Sequence, residues 1–528
     1  MLIIQNISYT HPNKDLLFDN LNLILNNHQK VALIGNNGIG KSILLKIIAN
    51  ELPISDGQLN VDTKPYYIPQ VFGQYNHLTI AQALGVDDKL DALTEILDGN
   101  ATEENYTLLD DNWTIEERCH ESLQHWQLYD LKLTERMGTL SGGQKAKVFL
   151  AGISLHQPEL ILMDEPSNHL DVSGRELLYN FIKATKSTLI VVSHDRKLLN
   201  ILSTVYELSK QGIKIYGGNY EFYTEQKKIE STALSQDIHS KEKAFRKAKE
   251  KERKTLEQQQ KLNIRGKGKQ EKAGVARIMM NTLRNNAENS TSRIKSIHHE
   301  KIDGISQELH GLRSNLADID KMKFGFDNSP LHKGKVLFKA DNLIVTYDKQ
   351  PLWNDKLSLQ LTSGERVALT GKNGSGKTTL IRVILGDLKP LSGTIYRTEN
   401  KSVYIDQDYS LIDNQLNVYE QAQSFNLSAL LEHEIKIRLN RFLFAKEDWN
   451  KVCGTLSGGE RMRLMLCCLT INNQSPDIII LDEPTNNLDI QNIEILTSAI
   501  NAYQGTLIVV SHDEYFLEQI NIDRTITL

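Results

Sequence analysis

Two eight-residue stretches could hold phosphate: Gly35 to Ser42, reading GNNGIGKS, and Gly371 to Thr378, reading GKNGSGKT. Each follows a strand-like run, Lys30 to Ile34 or Arg366 to Thr370, and leads into a helix-like one. Strand, glycine-rich loop and helix, in that order, are the context a phosphate-binding loop requires. Glycines let successive backbone N–H groups turn inward around an anion, and the helix start behind them adds partial positive charge. The first loop would wrap phosphates with Gly35, Asn36, Asn37, Gly38 and Gly40, the second with Gly371, Lys372, Asn373, Gly374 and Gly376. Lys41 and Lys377 would reach the β- and γ-phosphates, and the hydroxyls of Ser42 and Thr378 would ligate Mg2+.

Carboxylates stand where such a loop needs them. Asp164 and Glu165 close the apolar run Leu160 to Met163, and Asp482 and Glu483 close Ile478 to Leu481. A buried strand that ends in a carboxylate is the Walker B arrangement. Asp164 and Asp482 would orient the metal through its water shell, and Glu165 and Glu483 would polarise an attacking water as general bases. Acidic residues after strands also serve as plain helix caps, but a phosphate loop lies upstream of both pairs. His194 and His512 follow β-branched runs in SHD contexts and are candidates for contact with the γ-phosphate. Gln70 ends YYIPQ and Gln407 ends VYIDQ, each about 30 residues after its lysine, within reach of Mg2+ and the water. Tyr9 in ISYT and Tyr347 in VTYD precede the loops and could stack on a base.

These motifs recur in one order. Lys41 and Lys377 are 336 residues apart, Ser141 and Ser457 are 316 apart, and both Asp164/Asp482 and His194/His512 are 318 apart. Register therefore slips only between the first motif and the second, where the first copy carries about 20 extra residues. A repeat of some 200 residues is a duplicated domain rather than a solenoid unit.

LSGGQ (140–144) and LSGGE (456–460) have no place in a generic phosphate-loop enzyme. Ser141, Gly142 and Gly143, and likewise Ser457, Gly458 and Gly459, open apolar helices and so form a second anion-binding helix start. Its natural target is the γ-phosphate held by the other copy. The whole set resembles the ATP-binding cassette (ABC) family, with two nucleotide-binding domains in one chain. That resemblance implies head-to-tail pairing that buries two ATP molecules with Mg2+. One site would join Lys41, Ser42, Gln70, Asp164, Glu165 and His194 to Ser457 and Gly459. The other would join Lys377, Thr378, Gln407, Asp482, Glu483 and His512 to Ser141 and Gly143. Both should hydrolyse ATP to ADP and phosphate.

Between the copies lies a segment unlike either. Residues 241–277 contain 14 Lys or Arg and 5 Asp or Glu, whereas the whole chain is at −5. Prolines are absent from 167 to 329, which permits long helices. Ile302, Ile305, Leu309, Leu312, Leu316 and Ile319 keep a three-four spacing, and Ile229, Ala233, Ile238 and Phe245 form a weaker seam. NIRGKGKQEK (263–272) reads as a basic tip broken by Gly266 and Gly268. A lysine-rich arm on an otherwise acidic chain suits nucleic acid, although charge runs are commonly just solvated faces.

Paired cassettes, no membrane-length apolar run and this linker resemble the ABC-F type, as do DEPSNHLD and GGNYEFYTEQK. DEPTNNLD departs from the type only at Asn487. The resemblance implies an α/β fold of two P-loop cassette domains, each with a helical subdomain, joined by an α-helical antiparallel coiled-coil linker. The expected division is 1–224, 225–334 and 335–528, with a short arm-like insertion within 75–135, the candidate being Asn112 to His125. The implied activity is that of a cytoplasmic, monomeric ATPase whose ATP closes the two cassettes. Its linker would approach ribosomal RNA and tRNA near the tRNA exit site through Arg265, Lys267, Lys269, Lys272 and Arg277. Modulation of translation and ribosomal protection against antibiotics are both open within the type. A transporter's cassette subunit and a DNA-associated ABC ATPase are the rival readings. No integral membrane subunit is expected, given the long linker and the absent membrane domain; no apolar run of the chain approaches the ~20 residues of a spanning helix. The start, MLIIQNISYTHP, lacks a basic n-region and long apolar stretch. Cys119, Cys453, Cys467 and Cys468 lack the spacing of a metal site and are expected as buried, reduced thiols.

Overall fold

The computed structural model describes residues 1–12, 14, 16–209, 211–272, 277–314, 332, 334–347, 350–353, 355–371, 374–471, 476–486 and 488–528. The first cassette begins with β1 (Leu2–Thr10), β2 (Leu16–Leu25), β3 (Lys30–Ile34), α1 (Lys41–Ile48), β4 (Asp56–Val61) and β5 (Tyr66–Ile68). Helices α2 (Ile80–Leu84), α3 (Asp87–Leu97), α4 (Glu103–Leu109), α5 (Ile115–His125) and α6 (Gly142–His156) follow. It ends with β6 (Leu160–Asp164), α7 (Val172–Ala184), β7 (Thr188–Val192), α8 (Arg196–Ile201), β8 (Thr204–Ser209) and β9 (Gly212–Tyr216).

Strands β5, β6, β7, β3 and β8 form a parallel sheet in that order, and β9 adds an antiparallel edge. The sequence explains the layering. LILMD of β6 and TLIVV of β7 are buried along their whole length, as strands covered on both faces must be. In β2 the burial alternates, with Leu21, Leu23 and Leu25 inside, so this strand belongs to a sheet with one wet face. That sheet, ordered β2-β1-β4, is antiparallel and packs over α1.

After α9 (Tyr220–Lys272) and α10 (Arg277–Ser314), the second cassette repeats the plan. It opens with β10 (Val336–Ile344), β11 (Thr346–Tyr347), β12 (Gln350–Pro351), β13 (Leu357–Thr362), β14 (Arg366–Thr370), α11 (Lys377–Leu385), β15 (Ser392–Arg397) and β16 (Ser402–Ile405). Helices α12 (Val418–Ser424), α13 (Glu432–Arg441) and α14 (Gly458–Ile471) come next. The chain then runs through β17 (Ile478–Asp482), α15 (Ile490–Ala502), β18 (Thr506–Val510), α16 (Glu514–Gln519) and β19 (Arg524–Thr527). The parallel order here is β16-β17-β18-β14-β19, and β13-β10-β15 is the antiparallel sheet.

The surplus of the first copy is α3 and α4. Residues 112–125, the expected arm, instead contain the whole of α5, whose Ile115, Cys119, Ser122 and Leu123 are buried. Ser122 donates to the Ala151 carbonyl of α6 at 2.6 Å, so α5 is a wall of the helical subdomain. Its apolar face is what fixes it there, while α3 gives the core only Ala92 and Leu93.

Both cassettes pack as one compact unit, Met1–Tyr223 with Met322–Leu528, and Thr224–Lys321 forms a second. In the second unit, Ile238, Ile302 and Leu309 are buried, Ile229 is exposed, and Lys241 donates to Glu308. Leu316 and Ile319 lie outside the described residues. Helix α9 does not stop before the expected tip: it runs 53 residues, through Gly266 and Gly268 to Lys272. Two glycines cost about 2 kcal/mol in a helix, which flanking Lys, Gln and Glu residues and a long propagating segment can offset. Among the described residues, no helix is long and apolar enough to cross a membrane.

Candidate active sites

Each glycine-rich loop ends in a left-handed glycine that starts a helix, Gly40 at φ 103° and Gly376 at φ 95°. A Cβ at Gly40 would stand 2.7 Å from Leu17 Cδ2, and one at Gly376 would stand 2.5 Å from Leu352 Cδ2. The backbone angle demands glycine at both positions, and a side chain there would also have to displace a leucine. Lys41 Nζ donates to the carbonyls of Gly35 at 2.6 Å and Asn36 at 3.2 Å, and Lys377 Nζ donates to Gly371 at 2.9 Å. Burial lowers the pKa of both ammonium groups. Carboxylates of both cassettes oppose that shift: Glu165, Asp489 and Asp164 at Lys41, and Glu483, Asp482 and Asp171 at Lys377. Lys372 and Asn373 lie outside the described residues.

Strands β6 and β17 deliver the acidic pairs. Thr378 Oγ1 donates to Asp482 Oδ2 at 3.2 Å, and the Ser42 hydroxyl is hydrogen-bonded to Asp164 in the same way. A tyrosine that the sequence reading passed over joins each pair: Tyr67 OH lies 3.5 Å from Asp164 Oδ2, and Tyr404 OH lies 2.9 Å from Asp482 Oδ2. Both stand three residues before the glutamines, so the repeated Tyr-x-x-Gln was the available signal.

Glu165 and Glu483 adopt φ of 50° and 49°, a region non-glycine residues occupy only when their surroundings force them. The force is visible. Their N–H groups donate to the carbonyls of Val192 and Val510 at 2.8 Å, which turns the side chains toward the histidines. Glu165 Oε1 is 3.3 Å from His194 Nε2, and Glu483 Oε1 is 3.4 Å from His512 Nε2. Burial pushes Glu165 up to about 8, with Asp164 adding to the shift. Burial likewise pushes Glu483 up to about 7, held back by Arg175 and Lys377. The same burial holds His194 well below its ordinary value and brings His512 down to about 4. Each imidazole is therefore neutral at pH 7 beside a carboxyl that titrates near neutrality.

The remaining walls come from the opposite cassette. A cleft of about 810 Å3 joins Ser141, Gly142, Gly143, His169 and Arg175 to Lys377, Thr378, Gln407, Asp482, Glu483 and His512. A second, of about 430 Å3, joins Ser457 to Asn37, Gly38, Lys41, Ser42, Gln70, Asp164, Glu165 and His194. Both volumes fall within the range of small-molecule sites. Helix caps aim the signature serines, since Ser141 and Gln144 exchange hydrogen bonds between side chain and backbone, as do Ser457 and Glu460. Asn37 N–H donates across the junction to Asp489 Oδ2 at 2.9 Å. Gly458 starts α14. Gly459 does not line the smaller cleft; a Cβ there would meet Asn492 Nδ2 at 2.1 Å, so its place is a close helix approach. Asn487 lies outside the described residues.

Tyr9 is also placed away from the cleft. It pairs with Phe18 across β1 and β2 and packs against that ring and His11, at centroid distances of 6.0 and 5.5 Å. His11 and Leu17 line the cleft instead. Tyr347 sits on β11, and its side chain lies outside the described residues.

Mg2+ fits this donor set. Asp164 Oδ1 is buried with no hydrogen-bond partner beside a serine hydroxyl, and hard oxygen donors of this kind suit Mg2+. Among the described residues no three His, Cys, Asp or Glu side chains could hold a metal by themselves. An ion here would share its shell with phosphate and water, as Mg2+ usually does.

A family model described as ABC transporter matches residues 18–168 and 354–486. The putative ATP-binding protein YdiF of Bacillus subtilis (strain 168) is 31% identical, over 96% of this chain and 77% of its own. The probable ATP-binding protein YbiT of Escherichia coli O157:H7 is 29% identical, over 98% of this chain and 94% of its own. The solved complex of archaeal ribosomal stalk protein aP1 and archaeal ribosome recycling factor aABCE1 contains a chain of the same fold. It aligns with 99% of this chain and 87% of that chain, at a TM-score of 0.59 and 18% identity.

Proposed function

The chain belongs to the ATP-binding cassette family, as a two-cassette ATPase of the ABC-F type, and from that premise we propose that it hydrolyses ATP in the two junction clefts to act on the ribosome. The supporting observation is that each phosphate loop is faced by the signature serine of the other cassette, Lys41 by Ser457 and Lys377 by Ser141. A nucleotide bound in either cleft touches both cassettes, so ATP favours their closure. Lys41 and Lys377 bind the β- and γ-phosphates, and the signature helix starts receive the γ-phosphate from the far side. Bound Mg2+, held by Ser42 and Asp164 or by Thr378 and Asp482 with Gln70 or Gln407 nearby, would neutralise phosphate charge.

Glu165 or Glu483 takes a proton from the attacking water as its oxygen bonds to the γ-phosphorus. The bond between that phosphorus and the β–γ bridging oxygen breaks, and ADP and phosphate leave. His194 or His512, neutral, orients the γ-phosphate by hydrogen bonding.

The ribosomal part of the reading rests on the linker. Residues 241–277 carry a net +9 on a chain of net −5, and lysines without base specificity suit RNA backbone recognised by shape. The fold is also shared with a chain from the complex of an archaeal ribosomal stalk protein and a ribosome recycling factor. On this reading the protein works in the cytoplasm as a monomer, its linker reaching tRNA and ribosomal RNA near the exit site. Hydrolysis then reopens the cassettes and releases the ribosome. The test is the double variant E165Q/E483Q. It should retain ATP, lose hydrolysis by at least about 100-fold, co-sediment with ribosomes in ATP and inhibit translation. A double variant that stays in the supernatant at moderate salt refutes the ribosomal assignment.

A further inference from the structure

The two clefts are not chemical copies. At the constant offset of 318 residues, Arg175 of α7 corresponds to Ile493 of α15. Arg175 stands four residues after Asp171, in the first turn of its helix. Its Nε donates to the Leu170 carbonyl at 3.2 Å, and its Nη1 donates across the junction to the His512 carbonyl at 3.3 Å. The side chain lines the larger cleft beside Lys377, Glu483 and His512. Ile493 is 4% exposed and has no side-chain donor. Among the described residues lining the smaller cleft there is no arginine.

A guanidinium suits this place better than any other side chain. Its planar fork can bind one carbonyl of its own cassette and one of the other while its charge stays fixed. The carbonyl it reaches belongs to the residue whose imidazole faces Glu483, so one hydrogen bond ties the catalytic loop of one cassette to the helix of the other. Preorganised charge at the position where γ-phosphate charge shifts is worth most in a water-excluded cleft.

We propose that Arg175 is a positioning residue supplied in trans to the larger cleft, holding the His512 loop in its hydrolytic arrangement, so that the two clefts turn over ATP unequally. The proposal rests on the ATPase reading of the clefts. It makes hydrolysis at Lys377 conditional on contact with cassette one through a bond that hydrolysis at Lys41 lacks.

Vanadate trapping of radiolabelled 8-azido-ATP on the full chain tests it, with the label assigned after proteolysis to peptides of one cassette or the other. A base held on the phosphate-loop side of its cleft would meet His11 and Leu17 in one and Leu352 in the other, so the label would report the cleft. R175A should cut the cassette-two label at least ten-fold more than the cassette-one label, and R175K, which keeps a cationic donor, should restore part of the loss. R175Q is read in the same way should R175A not fold. Equal loss from both cassettes, unchanged label, or no rescue by lysine overturns the assignment. No trapping in the unsubstituted protein would instead refute the ATPase reading of the clefts and leave nothing for Arg175 to position.

Discussion

A carboxyl group shut away from water gives up its proton late, and both proposed bases are so placed. General-base catalysis needs the deprotonated form, and kcat/KM reports the free enzyme. With Glu165 up at about 8 and Glu483 up at about 7, kcat/KM for ATP should climb between pH 6 and pH 8.5 and level off above. The sign follows from the direction of the shift: a raised carboxyl is protonated, hence idle, over more of the neutral range. A profile already flat from pH 6 would show that neither carboxyl limits the reaction. At this scale the sequence was most informative where a motif fixed several residue types together and least where an aromatic had only its place ahead of the loop. Lys41, Asp164, Glu165 and His194 meet in one cleft because each stands at or just beyond the end of a strand of the same parallel sheet, or starts the helix after one. Tyr9 had only its distance from the loop to recommend it. Its strand pairing with Phe18 turns it into the antiparallel sheet and leaves the wall to His11, which no repeat marks.

Among the elements, α14 and α5 carry the thiols. Cys467 and Cys468 are fully enclosed in α14, Cys453 is buried just before it, and Cys119 is buried on α5. Burial pushes the Cys119 and Cys453 thiols up to about 11 and Cys467 up to about 12, and Cys468 also lies well above its ordinary value. Only thiolates attack disulfide reagents readily. At pH 8, native protein should react slowly with a colorimetric thiol reagent, whereas unfolded protein should react at all four positions at once. Fast reaction of even one thiol in the native state would place that helix elsewhere. The central strands were legible because continuous runs such as TLIVV suit only a doubly covered position. The insertion was not: spacing of motifs counts surplus residues without saying which helices carry them. Packing of Cys119 and Leu123 against the signature helix settles it in favour of α3 and α4.

For the molecule as a whole, charge is unevenly distributed, and on the ribosomal reading proposed above it suits two tasks. The cassettes carry the acidic excess, and residues 241–277 carry the basic one. Contacts with phosphate release counterions, so ribosome binding should weaken linearly on a log–log plot against salt. Replacing Lys267 and Lys269 by glutamate should weaken binding and flatten that slope by roughly one to two units in pelleting assays across a KCl series. An unchanged slope would show that the linker lysines touch no RNA. The duplication made the large plan readable, since two sets of motifs in the same order define two cassettes before any contact is known. What spacing does not contain is which wall of each cleft the partner cassette supplies beyond its signature serine. Arg175 is invisible in the repeat for that reason: it is a position at which the copies differ.

Each cleft also takes both of its walls from a single polypeptide. Building a working site is therefore a first-order event, governed by tether and hinge rather than by mass action. Dilution leaves the effective concentration of one half about the other untouched, as it would not for separately encoded halves. The clefts therefore form alike whether a cell makes ten copies or ten thousand.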